Sequence, residues 1–246
     1  MTTTTADHGR RSTMDLTLQR LSTELRDQWD LLRTRLEELP PDRYADPSGL
    51  PGWSVADLVA HLGLAMGALA AAETVPEAEP LSLSEYVQGY APAAPTIRDR
   101  SIELAERNAE DPLGGLDRAA QEAFTGLERL STGGGAAVVQ GRRGPLRLRD
   151  LVLTRLVELV VHGYDLARFL GPPVPVTGAA RRIVAQALLE ILEHRTGYDL
   201  AVADEAAWIR AAAGRITWAQ AIDAGALRPE HLADGTPDLT QALPLF

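Results

Sequence analysis

The sequence predicts a mainly all-α protein, a four-helix bundle followed by a short, mostly helical C-terminal appendage. Apolar residues recur at alternating three- and four-residue steps through much of the chain, which is the period of one helix face. Alternating strand patterns are nearly absent, so an all-β or doubly wound reading has little support. Clusters of proline and glycine cut the periodic stretches apart, as helix ends require.

Residues 1–13, MTTTTADHGRRST, are polar and aperiodic and are expected to be a disordered, dispensable leader. Met14, Leu18, Leu21, Leu25, Trp29, Leu32, Leu36 and Leu39 then form a bundle-helix seam, stopped by Pro40 and Pro41. DRYADPSGLPGW reads as a loop. Ser54 is an N-cap with Asp57 three residues on, a capping-box pattern, and its helix runs to about residue 72. TVPEAEPLS is a linker to weaker helices over about 84–90 and 96–108. The third bundle helix is expected over about 116–130. A glycine-rich break follows, STGGG and QGRRGP, with a short strand around AAVVQ. It is no phosphate loop, because the P-loop lysine is missing. The fourth bundle helix covers about 147–169 and ends at GPPVP. Beyond it, ARRIVAQALLEILEHR, DEAAWIRAAAG and TWAQAIDAG each carry a helical pattern. The expected division is a leader (1–13), a bundle (14–172) with a side excursion near 76–112, and an appendage (173–246).

Composition narrows the function. The chain has 246 residues, is 45% hydrophobic and carries a formal charge of −10. That balance suits a soluble acidic globule and argues against nucleic acid, whose binders concentrate positive charge. All 24 Lys-plus-Arg positions are Arg, which excludes Schiff-base chemistry and suggests a high-GC bacterial source. Cys is absent, so there is no disulfide framework, no thiolate nucleophile and no cysteine metal site. A sulfur nucleophile would have to come from a cofactor or substrate. No signal-peptide pattern or membrane-length apolar run is present, so the expectation is a cytoplasmic protein, monomer or homodimer, acting on a small molecule.

The stretch LVLTRLVELVVHGYDLARFL, 151–170, is the least polar long segment. A helix apolar on nearly every side is buried, so Glu158 is expected to face protein. A buried carboxylate persists only when paired, protonated or metal-bound. His162 lies four residues on, one turn along the same face. Of the five histidines, His8 lies in the leader, His194 at an exposed helix end and His231 in a loop. His61 sits inside the apolar helix SVADLVAHLGLAMGALAAA. His61, Glu158 and His162 would form a two-His, one-carboxylate site with open positions, the pattern of a catalytic divalent metal. The alternative is structural: hydrogen-bonded core histidines, with Glu158 paired to Arg155. Asp57, Arg155 and Asp165 are candidates to orient the ligands.

LPGWSVADLVAHLG followed by RLVELVVHGYDLA resembles the N-terminal domain of the mycothiol-dependent maleylpyruvate isomerase family, within the DinB-like metalloenzyme superfamily. AAGRITWAQAIDAGAL and the final DLTQALPLF are similar to the end of that family's sterol-carrier-like domain, here truncated and strand-poor. The resemblance implies a DinB-like bundle whose His61, Glu158 and His162 bind a divalent metal, usually zinc. It also implies that the metal activates mycothiol as a thiolate for S-transfer or cis–trans isomerisation of an electrophilic small molecule. A planar guanidinium suits a carboxylate on such a substrate. Arg215, in GRITW, is the first candidate for that catalytic role and Arg98 or Arg100 the second. Two other readings use the same scaffold: water or Lewis-acid chemistry at the metal in specialised metabolism, and a non-catalytic bundle that binds metal or a small molecule.

Overall fold

Four long helices bury their leucine seams against one another in the computed structural model, which describes residues 17–230 and 237–246. These are α1 (Leu18–Glu37), α2 (Val55–Ala70), α5 (Pro112–Ser131) and α6 (Leu148–Leu170), with α3 (Leu83–Gln88) and α4 (Tyr90–Arg107) between α2 and α5. The C-terminal part adds α7 (Gly178–Thr196), α8 (Glu205–Ala212) and α9 (Trp218–Asp223). Short strands β1 (Glu73–Thr74), β2 (Val138–Gly141), β3 (Gly144–Arg147), β4 (Leu200–Val202) and β5 (Leu227–Pro229) complete the order. The protein is therefore mainly helical, as its periodicity predicts. The expected leader, with His8, and His231 lie outside the described residues. Among those described, no helix is long and apolar enough to cross a membrane.

Local chemistry sets the helix ends. Thr17 caps α1 by accepting from the Arg20 N–H at 3.2 Å. Ser54 and Asp57 form the expected reciprocal capping box: the Ser54 side chain accepts the Asp57 N–H, and the Asp57 carboxylate accepts the Ser54 N–H at 2.7 Å. Two helices start earlier than the sequence pattern suggests. α5 begins at Pro112, with the Asp111 carboxylate accepting the Gly114 N–H. Its Pro fits the first helical position, and Gly114 and Gly115 hid the start. α4 begins at Tyr90 and runs through Pro92 and Pro95. Pro92 falls in the first turn, where N–H groups have no helical partner. Pro95 is inside the helix and removes one bond.

α4 also corrects the expected side excursion. It packs against α2 and buries Ser101 and Ala105, so it forms one wall of the bundle. The strand expected around AAVVQ is β2, which pairs antiparallel with β3 and β1 in the order β1-β2-β3. Val139 opposite Leu146 puts two buried side chains against the core. The antiparallel pair β4–β5 was not expected, because three-residue strands are too short to show a period of two.

Gly171 and Pro173 break the chain near residue 172, yet the core runs across the break. Ile183, Val184, Leu188 and Trp208 belong to the same buried cluster as Leu25, Leu62 and Leu156. Buried polar side chains on α1 reinforce this contact. The Gln28 amide donates to the Pro175 carbonyl at 2.8 Å and accepts the Thr177 N–H at 2.9 Å. Arg35 donates to the carbonyls of Pro173, at 2.7 Å, and of Leu170.

The α2–α5 crossing depends on one small residue. A Cβ at Gly126 would lie 2.7 Å from the Leu69 carbonyl oxygen and 2.8 Å from the Ala70 Cα. Gly126→Ala should therefore cost about 1–3 kcal/mol by overpacking. Gly67→Ala, whose Cβ would meet nothing within 4 Å, should stabilise the protein by about 0.5–1 kcal/mol through helix propensity. Urea melts of the two variants check both signs.

Candidate metal centre

α6 is apolar enough to lie against the rest of the bundle, which brings its few polar side chains inside. Arg155, Glu158, His162 and Asp165 fall at three- and four-residue steps, so they share one helix face. α2 supplies His61 opposite them. The His61 Nε2 lies 3.2 Å from Glu158 Oε2, and the His162 Nε2 lies 3.4 Å from the same oxygen. The two imidazole rings meet edge to face with centroids 4.8 Å apart. One donor atom from each residue lies within 4.8 Å of the other two.

The outer nitrogens of both rings are held. The single proton of Ser101 goes from Oγ to the Ile97 carbonyl at 2.8 Å, so its lone pairs face the His61 Nδ1 at 3.4 Å. The His162 Nδ1 lies 2.9 Å from Asp165 Oδ2, an acceptor. The two Nδ1 atoms are thus occupied by Ser101 and Asp165, and both Nε2 atoms face the Glu158 carboxylate. Two imidazole nitrogens and a carboxylate oxygen set this close together can share protons or hold a cation between them. Tetrahedral donors around a zinc ion with bonds of about 2.1 Å stand about 3.4 Å apart, and two of the three separations here match.

Burial pushes the His61 imidazole down more strongly than Glu158 pulls it up, which keeps it neutral and able to ligate. Burial acts downward on His162 as well, but hydrogen bonds to Asp165 and Glu158 outweigh it and raise that ring. For Glu158, burial works upward and is overcome by the two histidines and Arg155, so the carboxyl stays well below its usual range. Asp165 is likewise held low, its burial outweighed by His162 and Arg215.

The surrounding residues sort themselves by contact. Arg155 is buried, donates to the Ala65 carbonyl at 2.8 Å and to the Tyr90 hydroxyl at 2.6 Å, and stands 3.9 Å from Glu158 Oε1. Burial pushes the Tyr90 phenol up to about 12, so it stays protonated. Arg215 grips Asp165 with two parallel bonds, 3.0 Å from Nε and 2.7 Å from Nη2, while Nη1 donates to the Ala213 carbonyl at 2.6 Å. It reaches the histidine site only through Asp165. Asp57, a candidate to orient His61, is spent in its capping box. Trp53 meets the His61 ring at 5.3 Å, edge to face. His194 lies exposed in the last turn of α7. Arg98 and Arg100 are exposed, and neither bonds to His61, Glu158 or His162. Ser101 and Tyr90 do not stand out in the sequence, because they lie on the helix obscured by Pro92 and Pro95. A serine four residues after an apolar position carries no motif of its own.

Comparisons with known proteins agree with this architecture. A solved structure described as the mycothiol-dependent maleylpyruvate isomerase superposes with a TM-score of 0.53 at 16% identity, over 72% of this chain and 70% of that one. That match shows a shared fold. Uncharacterized proteins from two strains of Mycobacterium tuberculosis are 31% identical over 176 residues, 65% of this chain. The matched region spans 60% of the length of those curated relatives. Residues 25–167 match the family model for the mycothiol maleylpyruvate isomerase N-terminal domain, a span that contains His61, Ser101, Arg155, Glu158, His162 and Asp165. The chain belongs to the mycothiol maleylpyruvate isomerase N-terminal domain family.

Proposed function

We propose that this protein is a divalent-metal-dependent enzyme that uses a low-molecular-weight thiol, mycothiol, to attack an electrophilic small molecule, with S-transfer or cis–trans isomerisation as the outcome. The observation that carries the reading is the meeting of three atoms able to ligate a metal, one each from His61, Glu158 and His162, within 4.8 Å of one another. Two imidazoles and one carboxylate suit zinc, and they leave coordination positions open. A divalent cation held there would supply Lewis acidity and keep a thiol ionised near neutral pH. The absence of Cys fits a nucleophile brought from outside.

The chain's own residues have separable tasks in this reading. Ser101 and Asp165 fix the two rings with their Nε2 atoms inward. Arg215 is a positioning residue: it holds Asp165, and so joins the 173–246 appendage to a ligand set that lies wholly in the 14–172 bundle. Arg155 offsets the charge of Glu158 and ties it to Tyr90.

Purified protein should carry about one divalent cation per chain, and His162→Ala should lose it. Equal metal in both, read by elemental analysis, would sink the ligand assignment. Asp165→Asn removes the carboxylate behind His162 and should weaken metal affinity by about 10–100-fold, measured by chelator competition. Turnover of electrophiles should require the small thiol, with mycothiol preferred. Full turnover with no thiol present would move the assignment to water or Lewis-acid chemistry.

A further inference from the structure

Arginines gather at one place on a chain whose formal charge is −10. The turn between β2 and β3 is Arg142–Arg143, closed by the Gly141–Gly144 pair. Arg143 leans on the start of α4. Its guanidinium carbon stands 3.8 Å from the centre of the Tyr90 ring, and its Nε donates to the Gly89 carbonyl at 3.1 Å. Among the described residues, no carboxylate pairs with Arg100, Arg142 or Arg143. The formal charges acting on Arg142 are those of Arg155, Arg100 and Arg143, all positive. Part of the Arg142 side chain is open to solvent. Burial of the rest, and then these three cations, push its guanidinium below the ordinary value.

A second feature lies against the same turn. The Tyr86 hydroxyl, on α3, is buried and has no hydrogen-bond partner among the described residues. It packs on Gly141, where a Cβ would lie 2.6 Å from the phenol oxygen, and it is close enough to Arg142 to act on its charge. A buried hydroxyl with no partner costs stability. Here a proton donor without an acceptor stands beside cations without an anion. The turn also adjoins the metal centre through Tyr90, whose hydroxyl accepts from Arg155, 3.9 Å from Glu158.

We propose that the β2–β3 turn binds an oxyanion carried by a small molecule, a phosphate or carboxylate group, with the Arg142 and Arg143 guanidinium groups and the Tyr86 hydroxyl as its donors. A guanidinium fork matches either group with two parallel bonds. Arg100 adds positive charge to the same patch, which draws anions toward it. A molecule held there by its anionic end has Tyr90, and the centre behind it, as neighbours. The site does not depend on the thiol-transfer reading, since none of its donors belongs to the ligand set.

The test uses the full chain as purified, titrated by calorimetry with inorganic phosphate and, separately, with acetate. An anion-dependent rise in Tm is the second readout. Wild type should bind at least one of the two at low salt, and the tighter one tells a phosphoryl-bearing ligand from a carboxylate-bearing one. Added sodium chloride should weaken that binding. Arg142→Ala and Arg142→Gln should each weaken it by about tenfold or more, the loss of a charged hydrogen bond. Arg20→Ala, which removes an exposed arginine from α1, should leave it unchanged. Tyr86→Phe should raise Tm in anion-free buffer, by removing the partnerless hydroxyl, and should weaken anion binding by about threefold or more. Phosphate bound at the metal would persist in the Arg142 variants, so equal affinity in wild type and both variants would overturn the site. Binding of neither anion, or an equal loss in Arg20→Ala, would overturn it too. Tyr86→Phe that binds as tightly as wild type would overturn the part assigned to the phenol. A lack of thiol dependence in turnover would sink the proposed function and leave the anion result standing.

Discussion

A carboxylate inside a helical bundle must be surrounded by compensating charge, and Glu158 is such a carboxylate. Its requirement is met from three directions: His61 on α2, His162 one turn on, and Arg155 one turn back. Each partner then needs partners of its own. Arg155 takes the Ala65 carbonyl and the Tyr90 hydroxyl, which fixes α2 and the start of α4 against α6. His162 takes Asp165, and Asp165 takes Arg215. One buried charge therefore sets contacts from residue 61 to residue 215.

The hydrogen-bonded chain His162–Asp165–Arg215 has a direction. A guanidinium at its outer end holds a carboxylate, the carboxylate holds a ring, and the ring turns its Nε2 inward. Metal-binding histidines commonly rely on such an outer partner for tautomer and orientation. Here the outermost member comes from the C-terminal segment, which also packs α7 and α8 into the same core as α1 and α6. Among its described residues, that segment supports the His61–Glu158–His162 cluster without adding a side chain to it.

The parts of the fold legible in the sequence are those written in long periodic runs. α1, α2, α6 and α7 lie close to their expected positions because many apolar residues report on one face, and Ser54 with Asp57 marks a helix start by reciprocal bonding. Glu158 and His162 were legible for the same reason, since a fixed four-residue step on an apolar helix leaves little freedom. Their meeting with His61 was an expectation of bundle geometry, and the distances agree with it. What escaped were features decided by tertiary contact. Proline in α4 and paired glycines in α5 look like breaks, yet first-turn geometry and packing on α2 override them. Ser101 and Tyr90 become neighbours of the centre only through the folded path of the chain. Arg215 was expected to meet a substrate carboxylate; the carboxylate that it grips belongs to Asp165.

The common helix face of Arg155, Glu158, His162 and Asp165 has a consequence for how this protein can change in length. Each residue added to an α-helix turns everything beyond it by about 100°. A one-residue insertion between Glu158 and His162 would swing His162 and Asp165 away from His61 and Arg215 together unless a π-bulge absorbed it. The turn at 132–137, between α5 and β2, is under no such rule, since it is partly exposed and carries none of these groups. Relatives that differ in length should therefore keep this stretch of α6 fixed and place their gaps in the turns.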